Sequence, residues 1–148
     1  METIQPNAQG LSFAFWGHEG RIVLFPEVPE VVLTYEYEPP HGDFMYTLSI
    51  AGKVLKDSRD PRLFWGRNIL VSPCGRYLAI TEGLKEMRYT VFSLGENQEW
   101  SRRGFVKLVS MVFPTLKFQE YVSSGLNVVL GPLVEVDLQE SSGWKEIA

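Results

Sequence analysis

Apolar and polar positions alternate along much of the chain. In residues 31–38, Val31, Leu33, Tyr35 and Tyr37 fall on one side, and Val32, Thr34, Glu36 and Glu38 on the other. That is the two-residue period of a strand with one face buried and one wet. Short runs rich in β-branched and aromatic residues recur at 21–25, 44–50, 69–71, 76–81, 88–94, 105–112, 116–122, 126–130 and 133–138. Gly, Pro, Asn and Ser punctuate nearly every gap between them. No stretch of twelve residues keeps a 3.6-residue period with a cap at each end, so helix is confined to a single turn at 60–66 or in the C-terminal tail. The pattern predicts one all-β domain over residues 1–148. About ten antiparallel strands would form a β-sandwich or barrel, with at most short helical turns.

The chain also echoes itself. Phe15-Trp16-Gly17 followed by Ile22-Val23-Leu24-Phe25-Pro26 matches Phe64-Trp65-Gly66 followed by Ile69-Leu70-Val71-Ser72-Pro73. Tyr46-Thr47-Leu48-Ser49-Ile50-Ala51-Gly52 matches Tyr89-Thr90-Val91-Phe92-Ser93-Leu94-Gly95 in the same order. Residues 15–52 and 64–95 thus read as two copies of a three-stranded meander. A weaker third copy runs from Val112-Phe113-Pro114 through 116–121 to Val128-Val129-Leu130-Gly131.

Ile69-Leu70-Val71-Ser72-Pro73-Cys74-Gly75-Arg76-Tyr77-Leu78-Ala79-Ile80 resembles the strand-turn-strand of a β-propeller blade, as in WD-repeat proteins, with Cys74 where Asp is usual. Pro presets φ in such a turn and Gly accepts the left-handed position. At roughly 40 residues per blade and four blades, 148 residues are too few for a closed ring, so the likeness implies shared turn physics rather than a propeller.

Composition changes the picture little, because 45% hydrophobic and 22% charged residues are ordinary for a globular domain. No apolar run reaches the ~18 residues of a membrane span, and the first twenty residues lack a signal-peptide pattern. A single cysteine, Cys74, suits a reducing compartment. A cytoplasmic protein is the expectation.

Charge is more informative. The net value is −4, yet residues 1–43 carry seven acids against Arg21 alone, whereas residues 44–107 carry eleven bases against six acids. An acidic segment repels nucleic acid and attracts basic surfaces. Glu36 and Glu38 should point to solvent from their strand, with Glu27, Glu30 and Asp43 in the flanking loops. Glu135 and Asp137 should likewise lie opposite Val134, Val136 and Leu138.

No catalytic spacing is present: there is no Cys-x-x-Cys, His-Glu-x-x-His, Gly-x-x-x-x-Gly-Lys, Gly-x-Ser-x-Gly or Gly-x-Gly-x-x-Gly. His18 and His41 each precede a small-residue turn and read as turn residues. As an acid–base pair they would imply phosphodiester cleavage, with Arg21 or Lys53 on the phosphorane, but their flanks are acidic. Nothing in the spacing forces His18, Glu19, His41 and Asp43 around a metal, and no cofactor is implied. Arg102-Arg103, between Trp100 and Phe105, reads as an ordinary hairpin loop neutralised by Glu96 and Glu99 rather than as a nucleic-acid stacking site. Trp16, Trp65 and Trp144 read as packing anchors.

An acidic, β-rich, cytoplasmic domain without catalytic chemistry resembles, among bacterial proteins, the immunity proteins that neutralise delivered toxins. The resemblance implies a basic protein partner, such as a nuclease toxin domain, held by Glu27, Glu30, Glu36, Glu38, Asp43, Glu135 and Asp137. Neither nucleic acid nor membrane is expected as a partner. The alternatives are a small ligand in the mouth of a barrel and the histidine-pair phosphodiesterase.

Overall fold

The computed structural model describes residues 2–4, 11–15, 20–22, 28–39 and 44–148. Among them the chain is all-β, without helix; 60–66, where a helical turn was an option, is mostly extended. The N-terminal strands are β1 (Glu2–Ile4), β2 (Leu11–Phe13), β3 (Gly20–Ile22), β4 (Val31–Tyr37) and β5 (Met45–Ile50). Four two-residue segments follow: β6 (Lys53–Val54), β7 (Lys56–Asp57), β8 (Asp60–Pro61) and β9 (Phe64–Trp65). Then come β10 (Ile69–Val71), β11 (Tyr77–Glu82), β12 (Arg88–Ser93) and β13 (Gln98–Arg103). The last are β14 (Val106–Val112), β15 (Thr115–Ser124), β16 (Asn127–Asp137) and β17 (Lys145–Glu146).

One large sheet runs in the order β1-β3-β4-β5-β9-β11-β12-β13-β17, with β10, β2 and β6 joined at its sides, and a second sheet is β14-β15-β16. Pairing is antiparallel except between β1 and β3. The sheets stack and do not close into a barrel, so the barrel option and its ligand-holding mouth are set aside. Three successive meanders carry the architecture: β3-β4-β5, β10-β11-β12 and β14-β15-β16.

Registered pairs share a face, so the two sides of the large sheet can be read from the pairing. Leu78 faces Phe92 and Ile80 faces Thr90; Leu78, Phe92 and Ile80 join Leu33, Leu48, Phe64 and Val31 in one core. Ala79 faces Val91, which faces Trp100; this side meets Leu108, Leu116 and Phe118 of the second sheet in another core. Two apolar layers thus sandwich the middle strands, which is why β11 and β12 are buried at nearly every position. The echo does not survive at the level of facing. Tyr46 lies in the first core and Tyr89 in the second, while Trp16 lies outside the described residues.

β4 follows its alternation from Val31 through Leu33 to Tyr35, which face the first core. A bulge between Tyr35 and Tyr37 then breaks the period, so Tyr37, expected on the same buried face, is exposed beside Glu36 and Glu38. The propeller-like turn also forms: the Gly75 amide donates to the Ser72 carbonyl at 2.9 Å, and Gly75 takes φ 73°. Gly66 meets a packing limit, since a Cβ there would fall 2.3 Å from the Tyr46 ring.

Two expectations are corrected. Residues 126–130 and 133–138 are not separate strands, because Gly131 and Pro132 form a bulge opposite Glu120 inside β16. Arg102 and Arg103 lie in β13, not in a loop. Arg102 sits 4.5 Å over the Trp100 ring and donates to the Ser142 carbonyl, and Arg103 pairs with Glu86. Glu99 does not neutralise either of them; it is buried against Arg62.

Candidate interaction site

The second sheet continues past its bulge as a two-stranded arm. Tyr121 pairs with Leu130, Val122 with Val129, Ser123 with Val128 and Ser124 with Asn127. Gly125 takes φ 62° at the first central position of the two-residue turn, the place where a tight hairpin needs a left-handed residue. No charged residue occurs from 121 to 134, and the arm is flanked by Glu120 and Glu135.

Every residue from 122 to 130 is exposed. Leu126 is fully so, and Val128 is 61% exposed. Because successive side chains point to opposite sides, Val122 and Val129 lie on one face and Val128 and Leu130 on the other; both faces are apolar and open. Six exposed aliphatic side chains in one element approach the roughly 300–600 Å² of the largest apolar patch on ordinary monomers. A lone two-stranded hairpin is marginally stable in water, so exposing one this apolar on both faces needs a reason outside the fold.

At the root of the arm lies a cleft of about 420 Å³ between the two sheets, walled by Trp65, Leu84, Met87, Phe105 and Tyr121. The Trp65 indole N–H donates to the Gly83 carbonyl at 2.9 Å, which fixes that wall. Phe105 and Tyr121 stack with centroids 4.3 Å apart. The root itself is polar: Lys117 pairs with Glu135 in register at 3.4 Å, and Glu120 opposes Val106. An apolar centre with a charged rim is the layout of a protein-binding surface.

The acids singled out from sequence are spread over the molecule. Glu27 and Asp43 lie outside the described residues, as do His18, Glu19 and His41. Glu30, Glu36 and Glu38 are exposed along β4 and its ends. At about 3.3 Å per residue, Glu30 and Glu38 stand roughly 26 Å apart. Glu30 pairs with Arg21 at 3.8 Å. Glu36 accepts from the Thr47 hydroxyl in a groove shared with Lys53 and Lys56. Glu135 and Asp137 are exposed on the second sheet, opposite Val134, Val136 and Leu138 as the alternation requires. The Asp137 carboxylate also accepts the Gln139 and Glu140 amides, at 2.9 and 3.3 Å, and so shapes the following turn. Among the described acids of the set, only Glu135 and Asp137 belong to the sheet that carries the arm.

A buried charge cluster escaped the sequence altogether. Arg62 donates from Nε and Nη2 to both oxygens of Glu82, at 3.0 and 2.6 Å, and from Nη1 to Glu99 at 2.9 Å. The Thr90 hydroxyl and the Ala148 amide complete the two carboxylates. Burial disfavours the guanidinium charge, but its hydrogen bonds to Glu82 and Glu99 and the attraction of their charges outweigh it, and the pKa of Arg62 rises. The neighbouring Phe64 and Phe92 rings, whose centroids are 6.1 Å apart, both approach the cation from one side, at 5.4 and 5.7 Å. Through these bonds the cluster ties the segment leading into β9 to β11 and β13.

Among the described residues, no group of three or more His, Cys, Asp or Glu side chains is placed to hold a metal ion, and no helix is long and apolar enough to cross a membrane. Comparison with protein-family models, curated proteins and solved structures gave no match to this chain.

Proposed function

We propose that this chain is a non-enzymatic binding protein of the inhibitor or immunity type, which inserts the 121–134 arm into a cleft of a basic toxin domain in the cytoplasm. The observation that carries this reading is the arm: uncharged from 121 to 134, apolar on both faces and exposed at every residue from 122 to 130. A flat contact buries only one face of a hairpin, whereas insertion into a groove covers both. The partner therefore offers an apolar cleft, and its basic rim meets Glu120 and Glu135 at the root of the arm, with Lys107 and Lys117 setting register, whereas Asp137 lies at the far end of the sheet. The dispersed acids of β4 steer approach from a distance and do not form the contact.

The test is photo-crosslinking. A crosslinker at Leu126 should capture one partner, identified by mass spectrometry as a protein with a basic cleft, while a crosslinker at the exposed Lys85 should not. Capture of an acidic partner contradicts the toxin reading. A crosslinked dimer of the chain itself, or equal capture from both positions, contradicts the arm's role as a partner-binding element.

A further inference from the structure

A second hollow, of about 240 Å³, lies at the other end of the second sheet from the arm, beside the β14–β15 turn. Tyr77, Phe113, Leu138 and Trp144 form its apolar half, and Ser93, Glu96, Gln98 and Gln139 its polar half. The Tyr77 and Phe113 rings stack in parallel, 1° apart in tilt and 3.7 Å between centroids. The Trp144 indole N–H donates to the Leu138 carbonyl at 2.9 Å, so this ring is oriented before anything binds. Three half-buried aromatic side chains thus line one small cavity, and the charged side chain on its wall is Glu96.

We propose that this hollow binds a methylated ammonium cation of the choline class. Aromatic faces attract a cation through the ring quadrupole, and the gain grows as water is excluded. A quaternary nitrogen has no N–H to satisfy, so it loses no hydrogen bond on packing against the aromatic half of the hollow, while the polar half keeps Glu96 and the glutamines hydrated. Glu96 adds a complementary charge at the edge. The Tyr77 phenol reports the local field: burial raises its pKa first and Glu96 next, and the opposing influence of Arg76 is the weakest of the contributions. The site shares no lining residue with the root cleft, so it stands whatever the arm binds.

The experiment compares choline with its neutral tert-butyl isostere, in which carbon replaces the charged nitrogen, on the full chain. For choline, NMR should show saturable upfield shifts of the ligand methyl protons and contacts from them to the Trp144 and Tyr77 rings. The cation should bind roughly 10-fold more tightly than the isostere, the scale of a desolvated cation–π contact. Trp144→Leu should abolish the preference while Trp65→Leu leaves it, and Glu96→Gln should weaken choline and not the isostere. If Trp144→Leu fails to fold, the wild-type ring contacts and the choline-to-isostere ratio still decide. Equal affinity for the two ligands, absence of saturable shifts at millimolar choline, or contacts to rings other than Trp144, Tyr77 and Phe113 would overturn the proposal.

Discussion

Val122 and Val129 face each other across β15 and β16, and each remains 47% exposed although they form a registered pair. Among the described residues, neither side chain belongs to a core cluster. Replacing Val122, Leu126, Val128 and Val129 with threonine or serine should therefore leave the thermal midpoint nearly unchanged, because exposed substitutions usually shift stability by about 0.5 kcal/mol or less. The same variant should bind far less of an apolar-sensing dye. A large loss of stability on calorimetry would show that the arm is packed after all.

Removing the cation of the buried cluster should have the opposite effect. Arg62→Met leaves Glu82 and Glu99 facing each other without a partner, and breaking such a pair costs about 3–5 kcal/mol. Glu82→Gln and Glu99→Gln added together should restore much of it. Denaturant titration reads both, and a mild effect of Arg62→Met alone would mean that water reaches the cluster.

What the sequence disclosed follows from this contrast. β4 was legible because Val31 and Leu33 are covered and Glu36 is not, the condition under which alternation reports facing. β13 was missed because Gln98-Glu99-Trp100-Ser101-Arg102-Arg103 buries Glu99 where a hydrophobic residue is expected. Its partner Arg62 is 37 positions away, beyond any local pattern. The pattern predicts strands at 116–122 and 126–130 but not their exposure, since an apolar run looks the same whether or not another layer covers it. Gly131-Pro132 has the composition of a turn, and only pairing with Glu120 and its neighbours makes it a bulge.

Alkaline pH offers a separate check. Burial, with Glu96 or Glu120 adding to it, raises the pKa of Tyr77 and Tyr89 in the fold above the ordinary value of 10.0. Above that value the unfolded chain releases protons that the folded chain retains, so these phenols' contribution to stability is complete below pH 10 and falls as pH rises through the raised values. Wild type should lose more stability in that window than Tyr77→Phe or Tyr89→Phe. Identical pH profiles would show that neither phenol is held neutral.

The acids should divide by position. Glu135→Lys, at the root of the arm, should slow association with a basic partner by roughly a decade at low salt, and less at high salt. Glu36→Lys with Glu38→Lys should weaken steering without changing dissociation. Stopped-flow rates at two ionic strengths separate the cases; faster dissociation of the β4 pair would place β4 inside the contact.

The central claim concerns the arm, and the most direct measurement is the dissociation constant of the crosslinked partner, once purified, for wild type and for the four-residue arm variant. Loss of a central apolar cluster worth at least about 2 kcal/mol predicts binding weakened roughly 30-fold or more, with the change in koff. Equal affinity of the folded variant and wild type would contradict the account.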